Sequence, residues 1–392
     1  MVSLDLYQTL AVSVVALWLG TLLKKKIRIL SQFCIPSPVI GGLLFALFTL
    51  LGYSTGWFVC AFDDTMKQVC MVFFFTSVGF QANFKTIRQG GRPLILLVVL
   101  VAFMVVIQNI VAVAIARGLG LQGLIGMTAG SIPMVGGHGT SGAFGPVLEE
   151  MGITGATTLT TAAATFGLVA GSLIGGPIGK RLIEKHKLLA TASNDVDAII
   201  QETHTEHHDS AYTVAVFQMI VAVGLGTLVS YALSLTGMTF PIYMGGMIVA
   251  AIMRNYSEFT KKISIPMDQI SDMGGICLSL FLGIAMVTLR LWELAELALP
   301  LVLMLSAQLA IMIGFAYFVV FRVMGKDYDA AVLTSGFCGF GMGATPNAMA
   351  NMQAICDKYQ PSIKAYLLIP IVGSMFTDFI NSMIVTLFIN FL

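Results

Sequence analysis

Residues 130–144 read GSIPMVGGHGTSGAF, and residues 339–347 read GFGMGATPN. Each stretch sits in the middle of an apolar segment, 121–150 and 328–354 respectively. Runs of glycine and proline interrupt a helix. The helical pieces left on either side have about 13 residues, or roughly 20 Å at helical rise. That length does not cross a hydrocarbon core about 30 Å thick. Both segments are therefore expected to be re-entrant hairpins that enter and leave on one side. Broken backbone of this kind survives at membrane depth only where protein buries it or where it lines a wet cavity.

The rest of the chain supports a membrane setting. Of 392 residues, 57% are hydrophobic and 10% charged, with a mean hydropathy of +0.89. A soluble domain carries about 25% charged residues, so soluble enzyme folds are excluded. The net charge of +1 gives nucleic acid nothing to bind. Cys34, Cys60, Cys70, Cys277, Cys338 and Cys356 are scattered without C-x-x-C spacing, so neither a disulfide framework nor a zinc site is expected.

Apolar spans are expected at about 4–23, 36–53, 66–84, 93–116 and 155–179, then at 211–235, 239–253, 268–289, 297–323 and 361–392. The first is followed, not preceded, by Lys24, Lys25, Lys26 and Arg28, which identifies a retained helix. With the N-terminus outside, ten spans and two hairpins place eighteen of the 21 Lys and Arg residues inside. Only Lys67, Arg117 and Arg290 fall outside. Counting either hairpin as a full span would destroy this positive-inside asymmetry. Both termini are then outside and the polar linker inside.

Each half thus holds five spans with a hairpin between the fourth and fifth. An odd number inverts the second copy, as in many secondary transporters. The expected fold is all-α: a first repeat over 1–180 with its hairpin at 121–150, a linker over 181–210, and an inverted repeat over 211–392 with its hairpin at 328–354. Residue echoes agree with this plan. Pro38, Gly41 and Gly42 match Pro241, Gly245 and Gly246; Cys70 matches Cys277; Gln108 matches Gln308; Gly136 and Thr140 match Gly341 and Thr345.

The interrupted tips expose free N–H and C=O groups, which attract anions and small cations respectively. Thr140, Ser141, Thr345, Asn347 and Asn351 add oxygen ligands suited to a hard cation such as sodium. Asp378 is the one acid deep in an expected span, with Ser374 and Asn381 on its helical face. Gly167, Gly171 and Gly175 form a small-residue packing stripe. Thr161 and Thr165 lie on one face of the same helix, within reach of the first hairpin. His204, His207 and His208 belong to a polar linker and are read as solvated. The charged loops are read as topology determinants.

Together with 37–44 (SPVIGGLL), 164–179 (ATFGLVAGSLIGGPIG), 289–300 (LRLWELAELALP), 324–355 and 376–385 (FTDFINSMIV), the tip motifs resemble the bacterial sodium/glutamate symporters over nearly the whole chain. The resemblance implies L-glutamate as substrate, sodium as coupling ion, no further cofactor, a homodimer in the bacterial inner membrane, and an elevator-like movement. The combined reading assigns substrate contacts to Gly136, Gly137, His138, Gly139, Thr140, Ser141, Thr345, Pro346, Asn347, Asp378 and Asn381. It assigns sodium contacts to Thr165, Gly341, Asn351, Asp378 and Asn381. The rival readings are a di- or tricarboxylate carrier, a channel, and a membrane-embedded enzyme. For the last, neither a nucleophile–base pair nor an H-E-x-x-H motif is present.

Overall fold

A computed structural model describes residues 2–27, 30, 35–83, 91–191, 209–235, 241, 243–261, 263–292 and 297–392. The His204–His208 cluster and Cys34 lie outside these residues. In chain order the elements are β1 (Val2–Leu4), α1 (Leu6–Lys26), α2 (Ser37–Ser54), β2 (Cys60–Phe62), α3 (Thr65–Gln81) and α4 (Gly91–Gly118). The first glycine-rich segment forms α5 (Gly123–Met127), α6 (Ser131–Met134) and α7 (Gly137–Glu150), followed by α8 (Ala156–His186). The second half comprises α9 (Asp209–Ser234), α10 (Tyr243–Thr260), α11 (Met267–Val287), and α12 (Ala298–Phe315), which passes through a π segment (Ala316–Val320) into α13 (Phe321–Val323). The second glycine-rich segment forms α14 (Tyr328–Gly341) and α15 (Thr345–Cys356). The chain closes with α16 (Ile363–Ile371), a π segment (Val372–Phe376) and α17 (Thr377–Phe391).

Among the described residues, seven helices are long and apolar enough to cross a membrane. The protein is a multi-pass, essentially all-helical membrane protein. Of the other expected spans, α3 has 17 residues, α10 carries Arg254 and Glu258, and the last is divided by its π segment. One feature departs from the all-α expectation. β1 and β2 pair in parallel, Val2 opposite Cys60 and Leu4 opposite Phe62. They hold the N-terminus against the α2–α3 connection. Three-residue strands carry too little alternation to be read from sequence. A second departure is at α8, which runs to His186 rather than stopping near 179. Basic residues in its last turn, Lys185 and His186, complement the helix dipole and prolong the helix beyond the apolar stretch. At the other end of the chain, Asp5 and Gln8 form a reciprocal capping box that starts α1.

The helices pack as two bundles. One contains α1, α2 and α3 with α9, α10 and α11; the other contains α4, α8, α12, α16 and α17 with both glycine-rich segments. Glycine brings backbones together inside each. A Cβ on Gly41 would lie 1.7 Å from the Ala16 carbonyl oxygen, and one on Gly245 would lie 1.9 Å from that of Gly226. These two sites are the α1–α2 and α9–α10 crossings. In lipid, apolar surface gains nothing by leaving the solvent, so such close packing is a main source of helix association. The seam between the bundles differs: its contacts are side chains. Phe281 of α11 covers Gly142, Phe74 of α3 covers Gly139, and Tyr243 stacks on Phe75 at 4.0 Å while meeting Phe144 edge-on at 6.0 Å.

The crossing geometry yields a test. Gly245→Leu forces its side chain into the Gly226 backbone, an overpacking of about 3 kcal/mol. On α9, the partner in that crossing, a Cβ at Gly224 meets no atom within 4 Å, so Gly224→Leu should be accommodated. Size-exclusion profiles of detergent extracts should show the first variant aggregated and the second monodisperse.

Candidate functional site

The tips of both glycine-rich segments are held by buried amides that replace missing helical hydrogen bonds. Asn109 of α4 accepts from the Ser131 N–H at 2.7 Å, at the start of α6. One residue earlier, Gln108 donates to the Gly341 carbonyl at 2.9 Å, at the end of α14. Gln308 of α12 donates to the Gln108 carbonyl at 2.8 Å. One helix therefore supports both tips, and its glutamine is held by the matching glutamine of the other half. On the far side, Asn347 donates to the Leu168 carbonyl at 2.8 Å, and Asn351 to the Gly171 carbonyl at 2.9 Å.

The tips meet. Gly137 opens α7 with φ of 56°, the left-handed region, and a Cβ there would lie 2.8 Å from the Gly343 carbonyl oxygen. Two requirements thus fall on one residue: a backbone conformation that favours glycine and a bare approach to the other tip. Beside the contact, Asn381 donates to the Ser131 carbonyl at 3.2 Å, and its amide nitrogen is 2.6 Å from where a Gly136 Cβ would stand. At the second tip, Thr345 and Pro346 start α15; a proline at this place loses no helical bond. Gly373, in the π segment, leaves room for the Thr345 hydroxyl, 2.7 Å from where a Cβ would stand. Asp378 follows in the first turn of α17, partly buried. The ion pairs among the described residues, Lys67–Asp64, Lys180–Glu184 and Arg254–Glu258, are elsewhere. The Tyr243 hydroxyl faces Ser382 and lies within electrostatic reach of Asp378. The Ser374 side chain lies outside the described residues.

The structure divides the sequence-derived residues into two groups. Gly136, Gly137, Thr140, Thr345, Asn347 and Asn381 gather at the junction of the tips and the last helix, with Asp378 one helical turn before Asn381. His138, Ser141, Thr165 and Asn351 are instead tied into the packing against α8. His138 Nε2 is 3.0 Å from the Thr165 hydroxyl. That hydroxyl already donates to the Thr161 carbonyl, so His138 is the donor and its proton sits on Nε2. Ser141 donates to the Thr160 carbonyl at 3.1 Å. Gly139 faces Phe74, Gly341 is covered by Met312, and Pro346 is exposed. The stripe Gly167, Gly171 and Gly175 packs on α14 and α15.

Several buried oxygens at the junction have no hydrogen-bond partner among the described residues: the Thr140 hydroxyl, the Ser131 hydroxyl, and the side-chain carbonyls of Asn347 and Asn381. Buried polar atoms are rarely left so. Oxygens of this kind, with the carboxylate of Asp378, form a donor set for a hard cation. The α7 and α15 N-termini point free N–H groups toward an anion. The arrangement can therefore hold a small zwitterionic or anionic solute together with cations. Sequence reading did not assign Gln108, Asn109, Ser131, Gln308 or Tyr243 to the site. The available signal was polarity deep in apolar helices, which marks functional positions in membranes.

Broken half-helices meeting beside an intramembrane acid are the hallmark of membrane carriers. Comparison with known proteins makes the class specific. The sodium/glutamate symporter family model matches residues 2–361, and the chain belongs to that family. It is 37% identical over 383 residues to a sodium/glutamate symporter of Haemophilus influenzae, spanning 96% of this chain and 95% of the relative. It is 39% identical over 398 residues to that of Escherichia coli, spanning 99% and 98%, with the same values for that of Shigella flexneri.

The glutamine relay makes a quantitative prediction. Gln108→Leu leaves the buried Gly341 carbonyl unpaired and should cost about 1–3 kcal/mol. Gln308 binds the main-chain carbonyl of residue 108, which any side chain there leaves in place, so Gln308→Leu should lose a similar amount with or without the Gln108 side chain. A double-mutant cycle read by thermal unfolding in detergent should therefore give near-additive losses; a large coupling energy would show that the two side chains act as one unit.

Proposed function

We propose that the chain is a secondary active carrier that brings L-glutamate into the cell together with sodium, by alternating access. The observation that carries this reading is the apposition of Gly137 and Gly343 beside Asp378 and Asn381. Backbone N–H groups of the two tips, with Thr140 and Thr345, hold the substrate carboxylates. Asp378 meets the substrate ammonium or a sodium ion, assisted by Asn381. Asn347, Asn351, Gly341 and Thr165 complete or brace the ion-binding side. No further cofactor is needed, because the sodium gradient supplies the driving force. No step in this cycle makes or breaks a covalent bond, and the chain is read as no enzyme.

The architecture is proposed as ten transmembrane helices in two inverted repeats, 1–180 and 211–392, each with a re-entrant hairpin. Its support is the order of elements and the paired glycine crossings at Gly41 and Gly245. The bundle that bears the hairpins moves against the other along their side-chain seam, as an elevator. The protein sits in the bacterial inner membrane as a homodimer, with both termini outside and the 181–210 linker in the cytoplasm.

Proteoliposomes given labelled glutamate or citrate on the outside, under inward sodium or proton gradients imposed separately, test the substrate and the ion. Sodium-driven glutamate uptake is expected; proton-driven citrate uptake would replace this reading by the carboxylate carrier. Asp378→Asn keeps the shape and removes the charge. It should lower coupled uptake at least a hundredfold while the protein remains inserted. Loss of sodium binding in the absence of glutamate would assign Asp378 to the ion; weakened glutamate binding at saturating sodium would assign it to the ammonium. For orientation, a single cysteine at position 195 should resist an impermeant thiol reagent in intact cells and react after permeabilisation.

A further inference from the structure

The inner ends of α8 and α12 build a second site, remote from the tips. A cavity of about 260 Å³ is lined by Lys185 and His186 from the last turn of α8, by Tyr317 from the π segment, and by Arg322 and Lys326 beyond it. These residues come from two regions of sequence about 130 positions apart. Three of the four basic side chains, those of Lys185, His186 and Arg322, lean on an aromatic ring or its hydroxyl. Lys185 Nζ donates to the Tyr317 hydroxyl at 3.1 Å and lies 5.4 Å from the ring centre. The Arg322 guanidinium is 5.8 Å from the Phe318 ring, and the His186 ring is 5.3 Å from that of Phe321. The acid one residue before Lys185, Glu184, is turned away toward Lys180 and the Tyr359 hydroxyl. Among the described residues, no acid lines the cavity. The π turn, a feature common at functional sites, widens the helix where Tyr317 and Phe318 leave it.

Above the basic end, the surface turns apolar. Ile313 is 40% exposed and Phe318 55% exposed along α12. A cluster of cations with an apolar track beside it suits a molecule with an anionic head and hydrocarbon tails. A free anion would have no use for the track. We propose that the cavity seats the phosphate of an anionic phospholipid, whose acyl chains lie along Ile313 and Phe318. Basic pockets between transmembrane helices on the cytoplasmic side bind such headgroups. Assigning the lipid to the inner leaflet rests on the orientation proposed above; the binding itself does not. The loops read from sequence as topology determinants thus have a second use where four basic side chains converge.

The test uses the full-length protein in detergent, titrated with phosphatidylglycerol or phosphatidylcholine and followed by native mass spectrometry. Phosphatidylglycerol should bind at least tenfold more tightly than phosphatidylcholine. Each basic side chain near an anionic lipid adds roughly fivefold to binding. Arg322→Gln combined with Lys326→Gln should therefore weaken phosphatidylglycerol by about 25-fold, with phosphatidylcholine unchanged. If the double variant does not fold, Lys185→Gln alone should lose roughly fivefold. Unchanged phosphatidylglycerol affinity in these variants overturns the proposal. So does displacement of the lipid by millimolar inorganic phosphate, which would make the cavity a free-anion site. Glutamate transport is not read in this experiment, so its outcome is independent of the carrier assignment.

Discussion

Every peptide group inside a bilayer must find its hydrogen bond within the protein, and that constraint governs this molecule. A continuous helix satisfies it automatically. Two segments here break at mid-sequence glycines, and each break sets free a set of N–H and C=O groups. The chain answers with amides placed where helices present them without charge. Asn109 takes the Ser131 N–H, Gln108 takes the Gly341 carbonyl, and Asn381 takes the Ser131 carbonyl. An amide can donate and accept at once, so each can bind backbone and keep one polar atom for something else. The Asn347 and Asn381 side-chain oxygens are those spare atoms. Support of the break and recognition of a solute are two ends of the same side chain.

The same economy explains why contacts of two kinds divide the structure. Inside each bundle, backbone lies on backbone at glycines such as Gly41, Gly167 and Gly245. Such contacts tolerate no register shift, because a displacement of one residue brings a Cβ into the gap. Across the seam, Phe74, Phe144, Phe281 and Tyr243 present rings to one another and to Gly139 and Gly142. Rings over small residues can exchange partners at modest cost. The two glycine-rich segments and Asp378 belong to one bundle, and Tyr243 reaches the first of those segments from the other.

How much of this could be read from sequence depends on the residue. The glycine tips and Asp378 announced themselves, because glycine runs and a buried acid are rare inside apolar segments. Gln108 and Gln308 were visible only as an echo between halves; that the second braces the first needed coordinates, since their meeting depends on how α4 and α12 cross. His138 and Ser141 read as ligands because they sit among tip glycines. In α7 they hydrogen-bond to Thr165 and Thr160 of α8, contacts set by a helical phase that composition does not carry. The β1–β2 pair was invisible because three residues give no periodicity. The basic cavity escaped as well, because Lys185 and Arg322 are far apart in sequence and each alone looks like a topology signal.

The charge balance at the tips carries one further consequence. Neither glycine-rich segment contains a Lys or Arg: 123–150 and 328–356 have none, and 363–391 has only Lys364 in its first turn. On the proposed reading, glutamate brings a net negative charge to a place that already holds the Asp378 carboxylate. Helix N-termini offset part of this, each as roughly half a positive charge. The two glycine-rich segments supply no fixed cation, so on that reading the remainder comes from mobile ones. Substrate without cations then meets repulsion in a medium of low dielectric, and cations without substrate leave the N–H ends of the tips unused. Each ligand raises the affinity of the other by the same factor, as linkage requires. Placing a lysine at the junction would let substrate bind alone and would uncouple it from the ion. On the proposed reading, the absence of Lys and Arg from the tips is thus itself a part of the coupling.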